Sequence, residues 1–210
     1  MNSAAPTLFP MFLKLVGRRC VVVGGGAIAE SKVESLLAAG ASVTVVSPAL
    51  TARLLAQKQT GAFVWNPRSF HSSDLDSAFL VIAATPDEAT NELIFRESER
   101  RGILCNAVDQ PPRCHFYFPA VMRRGALQIA ISTAGLSPSL AHRLREEFEA
   151  MFQPEYGEWV AWLGAVREAV MQRKIDFGRR KQLLAYVARR ESFERWRAAN
   201  RQKRALGEAA

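Results

Sequence analysis

Apolar positions come in two textures along this chain. Through its first half they form short, near-continuous runs: Cys20-Val21-Val22-Val23, Ser42-Val43-Thr44-Val45-Val46, Phe63-Val64-Trp65, Phe79 to Thr85, and Ile103 to Val108. Runs of this length, bounded by glycine, proline or small polar residues, suit strands buried on both faces of a parallel sheet. Between them lie stretches of helical texture. Ala27 to Ala39 places Ile28, Val33, Leu36 and Leu37 near one face, with Gly40 as the stop. Leu50 to Gln59 is closed by Gly61, and Pro67 ends the third strand. A further helix opens on Pro86-Asp87-Glu88, with proline and two acids in its first turn, and ends near Arg101 before Gly102. This alternation predicts an α/β fold with an open parallel sheet. Ahead of it, Phe9, Phe12, Leu13 and Leu15 are expected to cover one sheet edge, and Gly17 to turn the chain.

After Asp109 the pattern changes. Pro111-Pro112 breaks the chain, and Phe116 to Pro119 and Leu127 to Ser132 form two extended segments around an Arg123-Arg124-Gly125 turn. No long helix separates them, so an antiparallel pair or an intersubunit sheet is expected. Ser137-Pro138 places serine at an N-cap and proline at the first helical position of a helix running to about Phe152. From Glu155 to about Arg204 the pattern is helical. Trp159, Trp162, Leu163, Val166, Val170, Leu183, Leu184, Val187, Phe193 and Trp196 form apolar faces there among basic residues, as core or partner contacts.

Chemistry concentrates where the first run ends. Val23 passes directly into Gly24-Gly25-Gly26-Ala27-Ile28-Ala29, with Gly24, Gly26 and Ala29 at the small positions of G-x-G-x-x-G/A. In that pattern Gly24 permits the tight turn, Gly26 lets backbone approach a pyrophosphate, and Ala29 lets helix and strand pack closely. The plainer reading is a glycine turn in an unrelated α/β protein. The flanking strand, helix and second strand favour a dinucleotide-binding, Rossmann-like domain. The acid expected after the second strand to bind ribose hydroxyls is absent; Ser47-Pro48-Ala49 stands there, with Ser47 as a weaker ribose partner. That turn offers no obvious arginine for a 2′-phosphate, Arg53 being the nearest, which favours NAD over NADP. In such sheets ligands lie beyond the carboxyl ends of the strands, where Gly24 to Ala29, Ser47, Thr85 and Asp109 all fall.

The 210 residues, 49% hydrophobic and 23% charged, suit a globular core with a smaller appendage. No apolar run reaches the ~18 residues of a membrane span. Met1 to Phe12 has no positive charge ahead of its apolar residues, unlike a secretory signal. Cys20, Cys105 and Cys114 are widely spaced, without a C-x-x-C pair, and fit small core residues in a reducing cytoplasm better than a disulfide or metal site. The net charge of +8 is uneven: residues 1–150 carry 15 Lys and Arg against 13 Asp and Glu, and residues 151–210 carry 13 against 7. A basic C-terminal part suits an anionic partner or, equally, a solvated helix face. No motif that reads nucleic acid accompanies it.

Four segments occur together in order: Val21 to Ala29 with Lys32 downstream, Val81-Ile82-Ala83-Ala84-Thr85, Asn106-Ala107-Val108-Asp109, and Ile131-Ser132-Thr133-Ala134-Gly135-Leu136-Ser137-Pro138. In this register the chain resembles the precorrin-2 dehydrogenase family, as a standalone enzyme or as the N-terminal half of siroheme synthase. The resemblance is close over residues 8–152 and looser beyond. It implies NAD-dependent oxidation of precorrin-2 to sirohydrochlorin, and in some members iron insertion to give siroheme. It also implies a cytoplasmic homodimer of three parts: a NAD-binding Rossmann domain over residues 1–112, a small α+β dimerisation segment over 113–152, and an all-helical C-terminal domain over 153–210 that helps enclose the tetrapyrrole.

The resemblance also distributes roles. Its dinucleotide contacts fall on the turn Ala27-Ile28 and on Pro48-Ala49 after the second strand, beside the candidates Gly24, Gly25, Gly26 and Ser47 that the glycine pattern itself supplies. Thr85 stands level between two readings, a hydrogen bond to the nicotinamide half and an N-cap ahead of Pro86. Asp109 becomes the catalytic carboxylate that takes a proton as the cofactor takes a hydride; from the residues alone it is an aspartate capping the turn before Pro111. Ser132, Thr133, Gly135 and Ser137 become a cradle for the carboxylates of a substrate that carries eight, against ordinary helix capping. Cys114 and His115, tempting as metal ligands, are expected on opposite sides of an extended segment. His71 and His142 are expected to be ordinary, and no protein metal site is assigned. Two alternatives stay open: a bifunctional dehydrogenase and ferrochelatase, and a non-catalytic NAD-sensing module like the regulatory domains of potassium transport systems. Such modules usually carry an acid where Ser47 stands and lack the tail from Ser132 to Arg204.

Overall fold

A computed structural model describes residues 6–207. The start of the N-terminal stretch Met1 to Phe12 lies outside the described residues. The chain divides into two compact units, one spanning Thr7–Tyr117 and the other running from Phe118 onward.

The first unit is built on five parallel strands: β1 (Arg19–Val23), β2 (Ser42–Val46), β3 (Val64–Asn66), β4 (Leu80–Ala83) and β5 (Leu104–Ala107), in the order β3-β2-β1-β4-β5. Helices α1 (Ala27–Ala38), α2 (Ala52–Gln59) and α3 (Glu88–Arg101) connect them. The alternation within β1 shows why its sequence is a continuous apolar run. Cys20 and Val22 pack with Ala29, Val33 and Leu36 of α1 and Leu54 of α2. Val21 and Val23 pack on the opposite face with Ile94 of α3 and Leu75. Both faces are covered, so Cys20 to Val23 are all buried. The strand order reverses between β1 and β4, which opens the crevice where ligands of such sheets lie.

Several local expectations are corrected. Ile28 is exposed and does not belong to the buried face of α1, which is Ala29, Val33 and Leu36. Of the residues expected over a sheet edge only Leu15 is buried; Phe9, Phe12 and Leu13 are exposed. α2 begins two residues later than expected, because Thr51 caps it and accepts the Leu54 N–H at 3.2 Å. α3 is capped by Asp87, whose carboxylate accepts the Ala89 and Thr90 N–H groups. An ionised carboxylate outcompetes the Thr85 hydroxyl for these amides, so Pro86 lies before the cap rather than inside the first turn.

The second unit begins with an antiparallel pair, β6 (Ala120–Arg124) and β7 (Leu127–Ile131). The first strand lies four residues later than the aromatic run suggested. Register is set by the two residues between paired Arg124 and Leu127, with Gly125 at φ +55. Arg123 and Arg124 are thus strand residues, not turn residues. Arg124 reaches back to the end of α4 (Pro138–Met151), donating to the Phe152 carbonyl at 2.8 Å and the Glu149 carbonyl at 2.9 Å. Gly125 and Gly157 lie so close that a Cβ on Gly157 would stand 2.9 Å from the Arg124 carbonyl carbon.

Three helices follow: α5 (Glu155–Met171), α6 (Phe177–Val187) and α7 (Arg190–Ala205). Trp159 and Phe193 are buried in an aromatic cluster with Tyr156, whose ring stacks on Phe193 at 4.2 Å between centroids. Trp162 and Leu183 are exposed instead. Part of the basic surplus ties these helices together, with Arg201 on Glu155 and Arg204 on Glu158. Ser137 caps α4 as expected, accepting the Leu140 N–H at 3.3 Å, with Pro138 first in the helix. Ser137→Ala is expected to cost about 1 kcal/mol. The check is a lowered melting temperature with α-helical circular dichroism otherwise retained.

Candidate functional site

At the carboxyl edge of the five-stranded sheet lies a cleft of about 220 Å³. Val23 and Gly24 close it from β1, Val46, Ser47 and Pro48 from β2, Arg68, Ser69 and Phe70 from the segment after β3, and Thr85, Pro86, Asp87 and Thr90 from the β4–α3 turn. Each side is fixed by a separate local device.

The glycine turn is shaped by backbone crowding. Gly24 has φ +126, and a Cβ there would stand 2.3 Å from the Ala84 carbonyl oxygen. Gly25 is tighter still: its Cβ would stand 1.9 Å from the Ala49 carbonyl oxygen and 2.7 Å from the Ser47 hydroxyl. Gly26 differs, with nothing within 4 Å of a Cβ placed on it. Gly26 is the N-cap of α1 and makes no side-chain cap, whereas α2 and α3 are both capped by side chains. The first amides of α1, at Ala27 and Ile28, therefore present unsatisfied N–H groups and the positive end of the helix dipole. Together with the open space at Gly26, this is a surface that a phosphate fits.

The turn after β2 is pinned rather than free. The Ser47 hydroxyl donates to the Ala49 carbonyl at 2.7 Å, Trp65 Nε1 donates to the Ser47 carbonyl at 2.9 Å, and the Thr51 N–H donates to the Gly25 carbonyl at 3.0 Å. The single Ser47 proton is thus committed to backbone, leaving only its oxygen for a ribose. Arg53, the nearest arginine in sequence, is turned to α1, where it pairs with Glu34 at 2.6 Å. The arginine that does line the cleft is Arg68, which sequence distance hid.

Thr85 lines the same cleft as Ser47 and Pro48. Its hydroxyl donates toward Asn91 Oδ1 at 2.9 Å and accepts the Asp87 N–H at 3.2 Å, while Asn91 Nδ2 donates to the Thr85 carbonyl at 3.0 Å. Asn91 is buried, so the turn after β4 is held from below by a satisfied polar pair.

Asp109 follows β5 and is exposed, with φ +60, a left-handed conformation that aspartate and asparagine tolerate better than most residues. It does not line the cleft described above. Its electrostatic neighbour is Lys32, half-buried on α1: burial pushes the Lys32 pKa down, and the Asp109 carboxylate pulls it back up, the net lying below the ordinary value. Lys32 is the one Lys or Arg of α1, the feature of the sequence that marks it. Cys114 and His115 point to different partners. The Cys114 thiol lies against the Ala107 carbonyl, and His115 Nδ1 accepts the Cys105 N–H at 3.0 Å. Among the described residues no group of three or more His, Cys, Asp or Glu side chains is arranged to hold a metal ion.

In the second unit, the loop from Ser132 to Ser137 is organised by its own hydroxyls. Ser132 Oγ accepts the Ala134 N–H and Thr133 Oγ1 accepts the Ser137 N–H, each at 3.1 Å. Ala134 and Gly135 both have positive φ, at +51 and +83. In these bonds the hydroxyl oxygens accept, so their protons can still be donated outward.

The sequence model described as "Putative NAD(P)-binding" matches residues 11–120, more than half of the chain. The chain belongs to this NAD(P)-binding family. A second match, described as the central part of sirohaem biosynthesis proteins, covers residues 124–151. The NAD(P)-binding chain is 41% identical over 172 residues to siroheme synthase 1 of Serratia proteamaculans, covering 82% of this chain and 36% of that protein. It is 44% identical over 164 residues to the siroheme synthase of Methylobacillus flagellatus, covering 78% and 35%. It therefore spans a little over a third of the length of the curated relatives it matches. Among solved structures, SirC, precorrin-2 dehydrogenase, matches with a TM-score of 0.76 and 27% identity, covering 89% of this chain and 92% of that one. No helix of the described residues is long and apolar enough to cross a membrane.

Proposed function

We propose that this chain oxidises precorrin-2 to sirohydrochlorin with NAD as the hydride acceptor. The observation that carries the reading is the likeness to SirC. It extends over nearly the whole of both chains, well past the dinucleotide-binding unit. An NAD-sensing module needs only the first unit, so the match over residues 124–151 supports the enzyme over the sensor. The residues present suit NAD: the uncapped N-terminus of α1 and the open space at Gly26 would hold the pyrophosphate, and Pro48 and Ala49 would flank the adenosine. When bound, the nicotinamide supplies the acceptor for a hydride leaving a ring carbon of the macrocycle. The matching proton goes to a base, the role assigned to Asp109. Lys32 on α1 lies close enough to interact electrostatically with that carboxylate. Ser132, Thr133, Gly135 and Ser137 would take up substrate carboxylates through outward-facing hydroxyls and the N-terminus of α4.

The reading includes a homodimer joined through residues 113–152, with a helical part over 153–210. It also includes a cytoplasmic setting, in keeping with three free cysteines. The name borne by the curated relatives favours a second activity, insertion of ferrous iron. There the metal is substrate, held by the tetrapyrrole nitrogens, and Asp109 accepts a pyrrole proton. One experiment tests both. Purified protein incubated with enzymatically made precorrin-2 and NAD is expected to give the absorption of sirohydrochlorin with stoichiometric NADH. Ferrous iron is then added. Siroheme formed faster than in a protein-free control establishes the second activity, and absence of NADH in the first step overturns the dehydrogenase.

A further inference from the structure

Arg68 is the one cation among the residues lining the cleft, and it stands on the side where an adenosine ribose would lie. In dinucleotide-binding sheets the 2′ position falls at the carboxyl end of the second strand. There an acid reads a free hydroxyl, and a nearby arginine accommodates a 2′-phosphate. Here that end is Ser47-Pro48, without an acid, and Arg68 faces the same cleft. By position alone Arg68 marks an NADP site.

Its hydrogen bonds mark the opposite. Arg68 Nη2 donates to Asp74 Oδ1 at 2.6 Å, Nη1 donates to Asp74 Oδ2 at 2.8 Å, and Nη1 also donates to the Ser69 carbonyl at 3.0 Å. The Arg68 side chain is half exposed, at 49%, but the Asp74 side chain beneath it is only 4% exposed. Asp74 also accepts the His71 N–H at 2.8 Å. Burial alone would raise the Asp74 pKa; the Arg68 hydrogen bond and the His71 amide outweigh it and hold the group below its ordinary value. A fork already engaged on both carboxylate oxygens cannot turn to a phosphate without leaving a buried charge unpaired, which is costly. Asp87 is the acid that lines the cleft itself, so Arg68, Asp74 and Asp87 together carry a net negative charge.

We propose that Asp74 sets the coenzyme preference: by holding and neutralising Arg68 beside the ribose position, it makes the cleft select NAD and reject NADP. This rests on the reading that a dinucleotide occupies this cleft. Asp74 itself does not line the cleft, so it is a positioning residue acting through Arg68.

The test is titration of the full chain with NADH and with NADPH, followed by nucleotide fluorescence. Wild type is expected to prefer NADH. Asp74→Asn keeps the shape of the side chain, frees the guanidinium, and is expected to raise NADPH affinity relative to NADH about tenfold or more. That gain is expected to shrink with added salt and to vanish in the double variant Arg68→Met, Asp74→Asn. Because Asp74 is buried, Arg68→Lys at the exposed partner provides a second route. A lysine cannot form the fork, so its charge is freer and the ratio is expected to move in the same direction. An unchanged ratio in folded Asp74→Asn, or in Arg68→Lys should the first variant fail to fold, overturns this assignment while leaving the dinucleotide site intact. Wild-type preference for NADPH overturns it as well. Failure of wild type to bind either nucleotide overturns both the site and the assignment.

Discussion

Asp109→Asn is expected to lower turnover of precorrin-2 by about a hundredfold or more, the usual scale for loss of a positioned general base, with NADH affinity unchanged. Asparagine is the informative replacement because Asp109 has φ +60. Asparagine tolerates this left-handed conformation, so the substitution removes the charge and leaves the turn. Alanine would add about 1–2 kcal/mol of backbone strain and confuse chemistry with folding. Cofactor affinity is expected to survive because Asp109 does not line the cleft that holds Ser47, Pro48 and Thr85. Steady-state rates, NADH titration and a melting curve on one preparation check all three statements. Undiminished turnover in a folded Asp109→Asn protein removes Asp109 from its assigned role.

The second large effect separates two adjacent glycines. Gly25→Ala is expected to destabilise the first unit by about 3 kcal/mol, the upper end for overpacking, since its Cβ would stand 1.9 Å from the Ala49 carbonyl oxygen. Backbone on both sides, pinned by the Ser47 and Thr51 hydrogen bonds, leaves little room to relax. Gly26→Ala is expected to leave the melting temperature nearly unchanged, because nothing lies within 4 Å of its Cβ. It is nonetheless expected to abolish measurable NADH binding, because that space is where a pyrophosphate would approach the α1 amides. The pair thus divides folding from binding: thermal melts report the first and nucleotide titration the second. A stable Gly26→Ala protein that still binds NADH tightly would remove the pyrophosphate from that helix end.

What could be read along the chain was whatever repeats locally. The apolar runs of β1, β4 and β5 announced strands covered on both faces, and the Gly24 to Ala29 spacing announced the turn into α1. Ser137-Pro138 announced the start of α4, because capping is decided within four residues. Errors arose where two local devices competed or where a partner was remote. Asp87 displaced Thr85 as the cap of α3 because a carboxylate accepts amides more strongly than a hydroxyl. β6 fell on Ala120–Arg124 because the Gly125 turn set the register, overriding the aromatic run before it. Phe9 and Phe12 carried an apolar signal and yet lie exposed, since periodicity reports hydrophobicity and not what is nearby to cover it.

The sequence by itself determined the parallel α/β order, the glycine turn, and the carboxyl edge on which Ser47, Thr85 and Asp109 would fall. Each of these follows from short-range sterics and from the two-residue and 3.6-residue periods of strand and helix. Only the tertiary structure decided which charges meet. It turned Arg53 away to Glu34, brought Arg68 into the cleft with Asp74 beneath it, and set Lys32 near Asp109. Arg68 is twenty-one positions from Ser47, and Lys32 is seventy-seven from Asp109. Pairings over such separations leave no periodic trace, because they depend on how strands stack side by side and not on the spacing within any one of them.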